Sequence, residues 1–360
     1  MRLSFRKESF VGLDLGHHTI KAAQVERFGG QWKVTRFGTI ATPPDSIRDG
    51  VVVDVEAAGE AIKQLLRETH ITASTANIAV SGGTVVVRVV RIPKMPEATL
   101  RKSIKYEASR YVPSSVEDSY IEFEIVGEAG EGQMDVLIVA SPKELVESRI
   151  RACKHAGLHV EVVDVEAFAA YRSLIEADPD EPWATKTIAV VDIGDSGTNM
   201  SVVKSGVFSM TRTIPQGGHM FTEALRSYFK LSDEDAEQGK SQLDVTELIM
   251  DGPPKENPPL RVIQPHLDDL IREIRRSLNY YQSQQTDGSK EKGVSYVLLS
   301  GGGAKMHGLA DYVGHKLALE TRSAGVFDSP IFVNAANDNE HGVDIAVASG
   351  LAMRSAGLAA

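Results

Sequence analysis

One pattern occurs twice in this chain. Residues 10–25 read FVGLDLGHHTIKAAQV, and residues 187–203 read TIAVVDIGDSGTNMSVV. Both run as an apolar strand, an acid (Asp14, Asp192), one apolar residue, a glycine (Gly16, Gly194), small or polar residues, and a second apolar strand. Each copy has the form of a β-hairpin whose turn carries a carboxylate and a glycine. The recurrence points to a duplicated architecture with facing halves. At 360 residues and 42% apolar content, the chain can bury one large core or two medium ones.

A third glycine cluster extends the pattern. The apolar run Val297 to Leu299 leads into Ser300-Gly301-Gly302-Gly303-Ala304, after which Leu309, Tyr312, Val313, Lys316 and Leu317 have helical spacing. Glycines let a backbone approach a ligand closely, and a helix start favours anionic or polar groups. The common nucleotide motifs fail here. Gly239-Lys240-Ser241 has Glu234 where a P-loop needs its first glycine, and Gly301-x-Gly303 runs on to Met306 where a dinucleotide fingerprint needs a third.

Composition narrows the class further. No run of about 18 apolar residues is present to span a membrane. The opening MRLSFRKESF is basic but has no apolar core of signal-peptide length. A lone cysteine, Cys153, excludes an internal disulfide and suits a reducing compartment. A net charge of −10 argues against a nucleic-acid surface, which needs clustered cations. These features give the expectation of a cytoplasmic α/β protein. Cys153, His155 and His159 fall across a helix end, a glycine turn and a strand, so they read as scattered surface residues rather than a zinc site.

The order of motifs resembles the actin-like ATPase superfamily: a hairpin at 11–25, a connecting helix at 164–175, a second hairpin at 188–203, a glycine turn at 297–309 and a closing helix at 343–353. The stretches PPDSIRDGVVVD, IPKMPEATLRKSIKYEASRYVP, VDVEAFAAYR and SGGGAKMHGL are similar to the PilM family, FtsA-related actin-like proteins of type IV pilus machines. The resemblance implies an α/β fold of the duplicated ribonuclease H-like kind, with two facing lobes and an inserted 1C subdomain. Subdomain 1A would take 9–83 and 163–185, 1C 84–162, 2A 186–218 and 288–360, and 2B 219–287.

Local patterns suit that layout. Val55, Ala58, Ile62, Leu65 and Leu66 form an apolar helical stripe, as do Leu267, Leu270, Ile271, Ile274, Leu278 and Tyr281. Within the insertion, a helix opened by Pro96-Glu97 ends before Pro113, and YIEFEIV and MDVLIVA read as strands. Ser141-Pro142 reads as a helix start capped by the serine. DGPPKENPPL, 251–260, reads as a loop.

The resemblance also implies a site. The two hairpins would hold ATP between them, with Asp14 and Asp192 holding waters of a Mg2+ ion rather than touching phosphate. Backbone amides after Gly16 and Gly194, through His17, His18 and Thr19 and through Asp195, Ser196, Gly197 and Thr198, would cradle phosphate oxygens. Lys21 falls where the family's phosphate-contacting lysine sits. Adenosine would lie between Gly301, Gly302, Gly303 and Ala304 on one side and Glu237 and Lys240 on the other. The latter two equally suit a solvated charged helix. His17 and His18 depart from the small hydroxyl residues usual in the family and read as two partly exposed turn residues. Glu166 aligns with the residue that positions the attacking water, and hydrolysis is expected to be slow or negligible. Either acid alone could simply cap a hairpin turn.

The function implied by the resemblance is an ATP-binding scaffold at the inner face of the cytoplasmic membrane. It would bind the cytoplasmic tail of PilN, reach PilO through it, and contact the pilus assembly and retraction ATPases. The alternative is a small-molecule kinase or phosphatase of the same superfamily. Against it, the insertion carries no His/Asp/Glu constellation that suggests chemistry.

Overall fold

The computed structural model describes residues 9–112, 115–130, 132–178, 185–249, 257–285, 293–334 and 342–356. The chain opens with an antiparallel meander, β1 (Phe10–Leu15), β2 (Thr19–Phe28) and β3 (Gln31–Ala41). After the short pair β4 (Ile47–Arg48) and β5 (Val51–Val52) come α1 (Val55–Glu68) and β6 (Thr75–Val80). Asp54 caps α1 by accepting a hydrogen bond from the Ala57 amide. The expected stripe faces inward: Ala58, Ile62 and Leu65 are buried, with Val55 and Leu66 packed beside them.

The insertion follows as β7 (Val86–Pro93), α2 (Glu97–Ala108), β8 (Ser119–Glu128) and β9 (Gln133–Pro142). Its three-stranded sheet, in the order β7-β9-β8, has its own apolar core around Leu100, Ile104, Val136 and Ile138. Then come α3 (Lys143–His155), β10 (His159–Val165) and α4 (Glu166–Tyr171), which continues as a wider helical turn over Arg172–Glu176. Ser141 does not cap α3. Pro142 occupies the cap position with no side-chain hydrogen bond, and the Ser141 hydroxyl is buried without a partner.

Packing also places the end of the insertion earlier than the expected residue 162. Ala152 and Cys153 of α3 belong to the core around α1 and β1, and β10 pairs with β6. The self-contained module is therefore β7 to β9. Cys153 is fully buried rather than a surface residue, and burial pushes its thiol up to about 12. His155 pairs with Glu60 at 2.8 Å, and His159 lies 3.7 Å from Glu161.

The second half repeats the first. β11 (Thr187–Ile193), β12 (Thr198–Lys204) and β13 (Val207–Ile214) form another antiparallel meander. Helices α5 (His219–Phe229), α6 (Asp233–Ser241) and α7 (Pro258–Ser283) follow, then β14 (Tyr296–Ser300), α8 (Leu309–Leu317), β15 (Glu320–Ser323), β16 (Phe332–Asn334) and α9 (Ala346–Ala356). The expected loop 251–260 is shorter at its end, because Asn257 caps α7 and Pro258-Pro259 form its first turn. Residues 251–256 lie outside the described residues. Leu267, Leu270, Ile271, Ile274 and Tyr281 line the buried face of α7, as expected, with Leu278 half-buried against the same core.

The two main sheets have the orders β10-β6-β1-β2-β3-β16 and β13-β12-β11-β14-β15. Read from the meander outward, both go antiparallel, antiparallel, parallel, parallel. The sequence repeat is thus a repeat of topology, with β16 added to one edge. Helix α9 then packs back on β1 and α4 so closely that backbone meets backbone. A Cβ on Gly12 would stand 1.9 Å from the Ala348 carbonyl oxygen, and one on Gly350 would stand 1.9 Å from that of Ala169.

Candidate functional site

The two hairpins have matching register. Asp14 pairs with Lys21 and Leu15 with Ile20; Asp192 pairs with Asn199 and Ile193 with Thr198. Each acid therefore ends its strand one residue before the turn, opposite a polar residue. Asp14 is buried and accepts a 2.9 Å hydrogen bond from the Lys21 ammonium. Asn199 instead donates to the Glu166 carboxylate at 3.0 Å and is itself steadied by Thr213.

Glu166 is the first residue of α4, and the fold brings it to the floor between the hairpins. It is not a solvated helix residue. Its pKa is raised, first by burial and then by Asp14, with Arg149, Ser81 and Lys21 opposing. Asp192 is pushed up to about 7, by burial first and then by Glu166 and Asp14. Burial works against the charge of Lys21, but Asp14, Asp192 and Glu166 outweigh it and raise its pKa. The floor is thus three carboxylates around one ammonium.

The third glycine turn lies against the same floor. Gly301 adopts φ +87°, and a Cβ there would stand 2.4 Å from Asp192 Oδ1. Only glycine fits both demands. Gly303 lies equally close to Ile193, Gly302 is exposed, and Ala304 turns its methyl into the core. Lys240 and Glu237 pair at 2.6 Å, and both bond Thr222 of α5. The Glu237 pKa is lowered: burial opposes, but Lys240 and Thr222 outweigh it, and His18 also acts on it across the cleft. They are not a free solvated face.

Both turns are pinned by backbone. Thr42 donates to the Gly16 carbonyl at 2.7 Å, and its amide donates to His18. Gly194 donates to Gly197, and the amides of Gly218 and His219 donate to Gly194 and Asp195. Among the described residues, the amides of His17, His18, Asp195 and Ser196 donate to no backbone acceptor. Thr198 is turned inward and donates to Gln216, so its hydroxyl is not offered to the cleft. The exposed hydroxyl position is Ser196.

His17 is no bystander at the turn. Its Nδ1 stands 2.7 Å from the Asp195 carboxylate, joining the tip of one hairpin to the tip of the other. That hydrogen bond, against the cost of burial, raises the His17 pKa. Burial opposes the charge of Asp195, but His17, His18 and His219 outweigh it and hold its carboxyl below the usual range.

Sequence reasoning missed Asn199, Thr213 and Arg149. Arg149 is buried and donates to the carbonyls of Gly50 and Ala79, tying the turn between β4 and β5 to β6, and its charge acts on Glu166. A cation within the apolar stripe of α3 was the available signal. A second cavity, of about 250 Å³, opens between the insertion and β13; Ser81, Val86, Arg88, Tyr111, Asn199 and Arg212 are among its lining residues.

Duplicated meanders facing across an acidic, glycine-walled cleft define an actin-like fold, and the chain's other likenesses agree. It matches FtsA from Streptococcus pneumoniae at 23% identity over 264 residues, covering 64% of this chain and 55% of that protein. FtsA from Pseudomonas aeruginosa matches at 23% over 351 residues, 85% of this chain and 81% of that one. The match thus spans little more than half the length of the streptococcal relative. MreB5 of Spiroplasma citri bound to AMPPNP superposes with a TM-score of 0.53 at 14% identity, covering 98% of this chain and 97% of that one. The chain belongs to the family described as type IV pilus assembly protein PilM, which it matches over residues 12–356. A solved chain of the "PilM-PilN type IV pilus biogenesis complex" superposes with a TM-score of 0.83 at 26% identity, covering 97% of this chain and 99% of that one.

Proposed function

We propose that this chain is an ATP-binding scaffold of the type IV pilus platform, peripheral at the inner face of the cytoplasmic membrane. It grips the cytoplasmic tail of PilN, reaches PilO through it, and meets the assembly and retraction ATPases. The carrying observation is the family match from residue 12 to residue 356, with a fold superposing on a solved PilM–PilN complex at a TM-score of 0.83. In this reading the PilN tail supplies the attachment; no helix among the described residues is long and apolar enough to cross a membrane.

The nucleotide half rests on the cleft. MreB5 carries AMPPNP in the same fold. Here the turn amides supply donors for phosphate, and Gly301, which accepts no Cβ, walls the adenosine side. Among the described residues, no three His, Cys, Asp or Glu converge to ligate a bare metal ion. That suits a Mg2+ that keeps its water shell, held through water by Asp14 and Asp192. Its charge would favour the ionised forms that burial first, and neighbouring carboxylates second, disfavour at Asp192 and Glu166. Glu166 then faces the phosphate end as an acceptor already committed to Asn199, which suits slow hydrolysis. The cavity beside the insertion is the proposed seat of the tail. The family match and the superposition on the PilM–PilN complex do not favour the kinase alternative.

Calorimetry with Mg-ATP tests the nucleotide half. Wild-type protein is expected to bind, and Asp14→Ala with Asp192→Ala to weaken binding at least tenfold while the protein still melts cooperatively. No binding heat and no nucleotide released on denaturing the purified protein would sink it.

A further inference from the structure

We infer that nucleotide binding is linked to proton uptake at His17, whose ring joins Asp195 at the mouth of the cleft beside His18 and His219. The inference rests on the nucleotide reading and goes beyond it. The three imidazoles come from different places: His17 and His18 from the turn between β1 and β2, and His219 from the first residue of α5. His17 is bonded to Asp195, its ring lies 6.4 Å from that of His219, and the His219 amide donates to the Asp195 carbonyl. His18 acts on Asp195 and also on Glu237 of α6.

Charge balance is the reason His17 takes up a proton as phosphate binds. A carboxylate accepts and never donates, so the Nδ1 of His17 that meets Asp195 carries the hydrogen. In the neutral ring, Nε2 is then a bare lone pair, which repels a phosphate oxygen. Only the imidazolium donates from both nitrogens at once. Asp195 itself puts a negative charge at the tip of a turn that faces phosphate.

The cations that could offset that charge are spoken for. Lys21 is held by Asp14, and Lys240 by Glu237. Among the described residues, the leading groups that favour the Asp195 carboxylate are histidines. The remaining charged neighbour of His17 is Asp49, at the turn before β5, which also favours the imidazolium. Beyond the charge that a bound Mg2+ would offset, a proton gained by His17 further balances a polyphosphate entering here. Affinity then falls as pH rises through the imidazole range, by up to about tenfold per pH unit for each proton linked.

Asp192 provides a built-in contrast. A Mg2+ ion held beside it would favour its ionised form, so Asp192 would contribute in the opposite sense to the uptake at His17. The reading is therefore the difference between variants. Titration calorimetry with Mg-ATP at pH 7.5, in buffers of different ionisation heat, counts the protons exchanged. Full-length wild type is expected to take up at least about half a proton more than His17→Gln or His17→Gln/His219→Gln. The affinities of the variants should also vary less with pH. Thermal melts establish that the variants are folded. Binding with the same proton count in wild type and both variants overturns the linkage and leaves the nucleotide reading intact. Absence of binding in all three proteins overturns both.

Discussion

At the scale of single residues, the cleft floor is defined by unequal acids. Asp14 has its own cation, whereas Asp192 lies opposite an amide and has none to itself. Its pKa, pushed up to about 7, makes a prediction with a definite sign. Between the ordinary carboxylate value and 7 the folded protein holds a proton that the unfolded chain has lost, so stability falls as pH rises through that window. Asp192→Asn mimics the protonated form, so it should leave the melting temperature nearly unchanged at pH 5. At pH 8 it should raise it, by on the order of a few °C. A loss at pH 8 would mean that Asp192 has a cation the structure does not show. The acids, Lys21 and Gly301 were legible in the sequence because strand ends and glycine turns are local features. Asn199 and Asp195–His17 were not, since their partners are 33 and 178 residues away.

At the scale of elements, the meanders were readable because each strand alternates with a turn of fixed chemistry, and α1, α7 and α8 because their apolar stripes are regular. Boundaries set by long-range packing were not. Nothing local says that α3 leaves the insertion, since its apolar face would fit either core. Helix α9 is the clearest case of an element fixed by its neighbours. It is buried on nearly all sides. Arg172 donates to the Gly350 carbonyl, Ser173 to that of Ala346, and Asn77 to that of Leu351. Asp164 accepts from both Arg172 and Arg354, tying α9 to α4. The Cβ that Gly350→Ala adds would meet the Ala169 backbone, which cannot rotate away as a side chain could. The expected cost is roughly 3 kcal/mol, seen as a lower urea midpoint with an unchanged slope. A wild-type midpoint would show that α9 does not approach α4 this closely.

At the scale of the whole molecule, the insertion is a graft whose two ends lie side by side. Val86 at the start of β7 and Ala140 near the end of β9 are direct cross-strand partners. Because its core is its own, it can be removed without opening the body. The expected boundary at 162 would have taken α3 and β10 with it and stripped α1 and β6 of their cover. Packing therefore sets the cut: residues 86–140 replaced by two glycines. The remaining body keeps both meanders, the acidic floor and all three glycine turns. What it loses is one wall of the cavity beside β13, including Val86, Arg88 and Tyr111. If that cavity seats the PilN tail, the excised protein should still bind Mg-ATP with wild-type affinity. Its affinity for a synthetic PilN-tail peptide should drop at least tenfold by fluorescence anisotropy. Retained peptide affinity would place the tail elsewhere on the body. Loss of both activities together, with a cooperative melt preserved, would mean instead that the insertion holds the two lobes in register through its contact with β13.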